Sequence, residues 1–554
     1  MGPVSGGRMK PLWTRRRFLQ GFGVGIAAAG LLAACGRLGG SRREIPGRIC
    51  GADAARAHRL RAGGFPAPSR VEQASCVIVG GGIAGLSAAW RLRKAGFEDF
   101  VLLELDEASG GNSRGGENAI SAYPWGAHYV PLANPESESV LRLFQELGVV
   151  SGFDAAGRPR YHELYLCAEP EERLFLQGAW QSGIVPREGL SFEERDEMAR
   201  FHEKMAAFGV AKGGDGRWAF AIPVDLSSRD RKFLALDRQS MAQWLEGEGL
   251  RSRPLRWYVD YCCRDDFGTP ADQVSAWAGI HYFAGRRGQA ANAEPNTVLT
   301  WPEGNGWLAR RLREACGDRL RCDAVVYKVA AEGSGRRVEY WDARGDETRA
   351  LRADQVIYAA PRFTAAYTVE EYQRSRPEAL AAFHYAPWLV ANLSLPRPPR
   401  GKGAPLAWDN VLYESPGLGY VVATHQGLKS VPGPTVLTYY RPLDHEAPVA
   451  ARRAALGRSY AEWREMILED LGRAHPELRE EAEHLDVWLW GHGMIRPEPG
   501  FLWGPARAAA GRGLPGLHFA HSDMSGMSLF EEAHERGIAA ADAVLKSLGK
   551  KVPA

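Results

Sequence analysis

The segment from Ala74 to Glu104 restricts the fold more than any other part of the chain. Ala74-Ser75-Cys76-Val77-Ile78-Val79 is a nearly continuous apolar run, as expected of a strand buried on both faces of a parallel sheet. It leads directly into Gly80-Gly81-Gly82-Ile83-Ala84-Gly85, and then into the helical pattern Leu86-Ser87-Ala88-Ala89-Trp90-Arg91-Leu92. Gly80 permits a tight turn, Gly82 lets backbone approach a pyrophosphate, and Gly85 lets helix pack closely on strand. The helix start at Ile83 and Ala84 offers free N–H groups and a positive dipole end to phosphates. A second apolar run, Phe100-Val101-Leu102-Leu103, ends in Glu104, placed 19 residues after Gly85 to accept hydrogen bonds from a ribose hydroxyl pair. Strand, glycine turn, helix, strand and acid together predict a dinucleotide-binding unit; the glycines taken alone fit an ordinary turn in an α/β domain.

The residues after Glu104 separate the possible dinucleotides. Asp106-Glu107-Ala108-Ser109-Gly110-Gly111-Asn112-Ser113-Arg114 resembles the FAD-dependent amine oxidase and phytoene-desaturase superfamily, in which the ribose acid is followed by Gly-Gly and usually an adjacent Arg. Here the Arg is displaced to position 114. Tyr123-Pro124-Trp125-Gly126-Ala127-His128-Tyr129-Val130 is similar to the family's segment beside the isoalloxazine, and equally fits a Trp/Tyr-rich core turn. Trp301-Pro302-Glu303-Gly304-Asn305-Gly306-Trp307 before a helix, the run Cys322–Val329, the strand Asp354–Ala360 stopping at Pro361, and Gly516–Asp523 before a C-terminal helix come in the family's order. The resemblance implies FAD as cofactor, held by Gly80, Gly82, Ile83, Ala84, Gly85, Glu104, Gly110, Gly111, Arg114, Trp125, Gly126, Ala127, a backbone contact from Val325, and Asp523.

The implied fold class is α/β (α+β overall): a Rossmann-like FAD-binding domain interleaved with a substrate domain of mixed sheet and helices. The FAD-binding domain is expected from residues 71–160, 290–365 and 485–550, and the substrate domain from 161–289 and 366–484. Apolar periodicity predicts helices over 192–208, 241–248, 255–264, 271–284 and 459–471, and strands over 388–395, 411–424 and 436–440.

The substrate side departs from amine-oxidising relatives. Their Lys near flavin N5 has no counterpart in Trp388-Leu389-Val390-Ala391-Asn392-Leu393-Ser394-Leu395, and their two aromatic cage positions fall on Gly493 and Leu529. His128 and His492 are the candidate catalytic groups, with Met494 beside the second; His492 is either a base, a covalent link to flavin, or a core or surface histidine. No His or Cys spacing suits a metal, so none is expected.

The first 35 residues read as an export signal. Thr14-Arg15-Arg16-Arg17-Phe18-Leu19 precedes a short apolar stretch rich in Gly and Ala that ends in Leu32-Ala33-Ala34-Cys35. The pattern resembles a twin-arginine (Tat) leader joined to a lipoprotein signal, which implies passage through the Tat translocase, lipidation of Cys35, and a periplasmic or extracytoplasmic, membrane-anchored protein. A basic amphipathic segment or retained anchor helix is the other reading. Residues 36–70 lack apolar periodicity and read mostly as a linker.

With 69 Lys and Arg against 66 Asp and Glu, the chain carries no nucleic-acid footprint. Residues 1–34 hold five basic residues and no acid, so the remainder has 69 − 5 = 64 basic against 66 acidic residues, a net of −2. The sequence therefore predicts an exported FAD oxidoreductase, amine oxidase-like, that moves hydride from a C–H bond of a small organic substrate to flavin N5 and is reoxidised by oxygen or a quinone-type acceptor. An isoprenoid or carotenoid desaturase-like dehydrogenase, or a non-catalytic flavin protein, are the alternatives.

Overall fold

A computed structural model describes residues 44–51, 53–428 and 431–553, and Pro46–Ala554 form one unit. The leader and Cys35 lie outside the described residues. Two seven-stranded sheets organise this unit. In the first, Arg70–Val79 is central, with parallel partners on both sides: Phe100–Leu103 (Ile78 opposite Leu102) and Glu347–Tyr358 (Val77 opposite Val356). Leu517–Phe519 pairs in parallel with the end of Glu347–Tyr358, whose beginning belongs to an antiparallel meander with Gly335–Asp342 and Ala324–Glu332. The apolar run from Cys76 to Val79 is buried on both faces, because Ile83–Lys94 and Phe530–Ser547 pack on one side and the meander on the other.

The second sheet runs in the order His484–Ile495, Tyr385–Leu395, Thr435–Pro442, Gly419–Val422, Asp409–Leu412, Glu172–Leu176, Ala179–Ser182. All eleven residues of Tyr385–Leu395 are buried. Helices Phe192–Gly209, Met241–Gly247, Arg253–Phe267 and Ala276–Ala284 bury their apolar faces in the core of this half, around the fully buried Trp277. Among the described residues no helix is long and apolar enough to cross a membrane.

Several boundaries differ from the sequence expectation for local reasons. The helix expected from 271 begins at Ala276, where the Ser275 side chain accepts from the Trp277 N–H. The strand expected over 411–424 is two strands, Asp409–Leu412 and Gly419–Val422, joined through Ser415-Pro416-Gly417. The stretch 36–70 is not linker throughout: Ala54–Ala62 is a helix, capped by Asp53 accepting from the Arg56 N–H. Its weak apolar periodicity hid it, since none of its residues is buried.

Candidate functional site

The carboxyl ends of the parallel strands converge on a cavity of about 970 Å³ between the two sheets. Gly80, Gly82, Ile83, Ala84, Glu104, Gly110, Gly111, Ala127 and Asp523 line it. The three motif glycines serve distinct ends. Gly80 has φ +104°, a conformation that L side chains rarely adopt. A Cβ on Gly82 would meet nothing within 4 Å, so its missing side chain leaves room in the cavity. Gly85 is not in the wall: a Cβ there would lie 1.9 Å from the Gly80 carbonyl oxygen, so it lets the helix close on the strand. The helices starting at Ile83 and Phe530 have no side-chain cap, and Ile83, Ala84, Leu529 and Phe530 present these starts to the cavity.

Glu104 is fixed by backbone donors: its Oε2 accepts from the Gly81 N–H at 2.7 Å and its Oε1 from the Asp106 N–H at 2.9 Å. Burial raises its carboxyl and these two hydrogen bonds oppose the rise. Asp523 lies 1% exposed, and its Oδ2 accepts from the Tyr385 hydroxyl at 2.6 Å and the Arg362 N–H at 2.8 Å. Burial pushes this carboxyl up, but His521, Tyr385 and the Arg362 N–H outweigh it and hold it below the ordinary Asp range. Its Oδ1 lies 3.0 Å from His521 Nδ1, which already accepts from the Asp523 N–H, and makes no hydrogen bond of its own.

Four expected cofactor residues do not face the cavity, and a fifth, Val325, of which only a backbone contact is expected, has its side chain turned away from it. Besides Gly85, Arg114 lies beyond the turn Gly111–Ser113, where it pairs with Asp106 at 3.0 Å and stacks over Trp488. Asn112 stands instead next to Gly111, lines the cavity, and donates to the Gly493 carbonyl. Trp125 packs on Trp488 with ring centroids 5.1 Å apart, and Gly126 sits against the Asn112 carbonyl; only Ala127 of these three reaches the wall. Val325 is fully buried, while Ala324 and Val326 on either side line the cavity.

The two candidate histidines separate. His492 is in the wall, stacked on Phe363 at 4.3 Å, with its imidazole pushed down to about 3 chiefly by burial and then by Arg452. His128 lies behind the wall among Tyr440, Tyr129 and Trp408, with ring centroids 4.5, 5.2 and 5.5 Å away. Burial pushes it down to about 4, so it is neutral near pH 7. Tyr440 donates to the Gly126 carbonyl at 2.8 Å and ties this aromatic group to the cavity wall.

Two features were not legible in the sequence. Trp388 and Trp490 stand opposite each other on paired strands and both line the cavity. A Cβ on Gly493 would lie 2.9 Å from the Trp388 indole, so the glycine at an expected cage position makes room for an aromatic ring from a neighbouring strand. Beyond His128 and Tyr129 lies a polar cluster in which Arg286 donates to Asp266 at 2.8 Å and to the Tyr129 hydroxyl at 3.1 Å. Burial raises Glu172, Asp265, Asp266 and Asp409, with Asp265 pushed up to about 7; Glu172 and Asp265 push Asp409 further. Among the described residues no group of three or more His, Cys, Asp or Glu side chains is placed to hold a metal ion.

The donor set suits a dinucleotide flavin. Open space at Gly82, two uncapped helix starts and three buried polar atoms without hydrogen bonds, Asp523 Oδ1, Asn305 Oδ1 and Ser109 Oγ, are gathered at or beside one cavity. The profile of the flavin containing amine oxidoreductases matches residues 83–545, most of the chain. The chain belongs to that family. It is an FAD-dependent oxidoreductase.

Among curated relatives, an L-amino acid dehydrogenase of Synechocystis sp. is 25% identical over 266 residues, covering 48% of this chain and 52% of the relative. The match thus spans about half of that relative's length. Among solved structures, a redesigned putrescine oxidase superposes with TM-score 0.62 at 19% identity, over 86% of this chain and 100% of the other. Cyclohexylamine oxidase from Brevibacterium oxydans gives TM-score 0.61 at 17% identity, again over 86% and 100%. At these identities the superpositions establish a shared fold.

Proposed function

We propose that this family member oxidises the C–H bond next to the nitrogen of an amine that arrives as a cation and gives up its proton before hydride leaves, outside the cytoplasm, as a lipid-anchored enzyme that passes its electrons to oxygen or a quinone-type acceptor. The observation that carries the substrate class is the surplus of carboxylates behind the Gly126–Tyr129 wall. Glu172, Asp265, Asp266 and Asp409 gather there, and Arg286 is the cation acting on the first three. Negative charge is unfavourable away from water, so burial raises these carboxyls toward the neutral form, and a nearby ammonium group would favour their charged form. The aromatic faces of Trp388 and Trp490 add a surface that attracts a cation.

Bound FAD supplies the two-electron acceptor for such a substrate. Around it the chain's own groups divide the remaining work. Glu104 would hold the ribose and Asp523 the ribityl or pyrophosphate region, the helix starts at Ile83 and Phe530 favour negative charge, and neutral His492, which lines the cavity, is the candidate histidine within reach of a substrate nitrogen there. The leader from Thr14 to Cys35 supports export and anchoring. The experiment is anaerobic mixing of the purified yellow protein with polyamines, amino acids and isoprenoids. Bleaching of the flavin by an amine is expected; bleaching by isoprenoids alone would overturn the substrate class in favour of a desaturase, and no bleaching by any of them would favour a non-catalytic flavin protein.

A further inference from the structure

The family profile begins at residue 83, yet residues 49–51 and much of 53–61 form part of the cofactor cavity wall. This N-terminal segment bridges the two sheets. At one end residues 46–50 lie along the free edge of His484–Ile495: the Leu485 N–H donates to the Pro46 carbonyl at 3.0 Å, Val487 to Arg48 at 2.9 Å, and Cys50 to Val487 at 2.7 Å. At the other end Arg56 donates to Asp323 at 2.8 Å and to the Leu105 carbonyl at 3.0 Å, beside the strand that carries Ala324 and Val326. The Arg59 guanidinium lies 3.9 Å above the Trp341 ring, and Phe65 stacks on Tyr327 at 4.3 Å. Between these pins Ala54, Ala57 and His58 line the same cavity as Gly80–Gly82.

We infer that residues 46–51 and 53–65 are the outer wall of the FAD site, with Arg56 the positioning residue that holds the wall shut, and that FAD enters and leaves only when this strap opens. The physical case is the contrast between its two parts. Residues 46–50 share a sheet ladder, whereas the nine-residue helix Ala54–Ala62 buries none of its residues and is too short to be stable by itself. Its closure rests on the Arg56 and Arg59 contacts, and an element with so few buried contacts opens locally while the core stays folded. Gly63 and Gly64, both at positive φ with open space around them, form the bend that lets it swing. In a protein carrying FAD the strap therefore sets the rate of cofactor loss while leaving the catalytic groups untouched.

The test is the rate at which free-flavin fluorescence appears when holoprotein is diluted. Arg56→Ala should release FAD about tenfold faster, the factor given by losing about 1.4 kcal/mol of closure, and Arg56→Lys should fall between. The midpoint of global unfolding should stay at the wild-type value. As a second route that avoids any folding defect, a protease site between Gly63 and Gly64 is cut in the folded holoprotein, and release should again accelerate. Wild-type release rates in both the cut protein and Arg56→Ala would overturn the strap, and so would a fall in global stability that accounts for faster release. A natively purified protein without any flavin would instead overturn the FAD assignment on which the strap rests.

Discussion

Gly85 lies directly beneath Gly80: a Cβ on Gly85 would sit 1.9 Å from the Gly80 carbonyl oxygen, whereas a Cβ on Gly82, three residues before it, would meet nothing within 4 Å. Two glycines of one motif thus fail in different ways when replaced. Gly85→Ala must push helix Ile83–Lys94 off strand Arg70–Val79, and is expected to lower stability by about 2 kcal/mol or more, read as a reduced unfolding midpoint with or without flavin. Gly82→Val should leave the apoprotein's unfolding midpoint near wild type but abolish flavin retention, read as loss of yellow colour. Loss of stability in Gly82→Val, or normal stability in Gly85→Ala, would reverse the assignment.

Buried neutral histidines make the fold sensitive to acid. His281, 1% exposed with its Nε2 2.9 Å from the Ala221 carbonyl, and His534, fully buried with its Nδ1 2.8 Å from Ser87 Oγ, are both pushed down to about 4 chiefly by burial. Between pH about 6.5 and about 4 the unfolded chain binds a proton at each site that the folded chain does not. Stability is therefore fully present above pH 6.5 and falls as pH drops, by up to about 3 kcal/mol per histidine. His281→Gln should remove one share of this slope. Denaturant midpoints of variant and wild type, compared from pH 4 to 8, should converge in acid and differ by a constant amount above pH 6.5.

The carboxylate cluster has a kinetic signature. Asp409→Asn and Asp265→Asn each remove a group that a cationic neighbour would draw into its charged form, and should raise KM for a cationic amine about tenfold, with a smaller change in kcat. Equal effects on a neutral substrate would argue that these residues act only through packing.

The proposed anchor is checked without reference to the fold. Cys35→Ser should move the protein from the membrane fraction to the soluble fraction of the compartment to which it is exported, with flavin content unchanged. Continued membrane retention would count against lipidation.

Local chemistry determined much of this protein. The strand-turn-helix from Ala74 to Leu92 is legible because apolar continuity, three glycines and a helical period all fall within some twenty residues, where backbone sterics alone restrict the options. Gly80, Gly82, Glu104 and Asp523 were placed in the wall by the same local logic. Arg114 was not, because its position relative to Gly111 depends on an intervening turn; strand phase buries the Val325 side chain between Ala324 and Val326, which bears on its side chain and not on the backbone contact expected of it. The tertiary structure alone decided three things. Strand register set Trp388 opposite Trp490 and into the space left by Gly493. Packing brought Tyr129, Glu172, Asp266, Arg286 and Asp409 together from five separate segments. Long-range pins at Asp323 and Val487 turned an unpatterned stretch before the first strand into part of the cofactor wall. Periodicity reports which face of an element is buried, but not which distant element it meets.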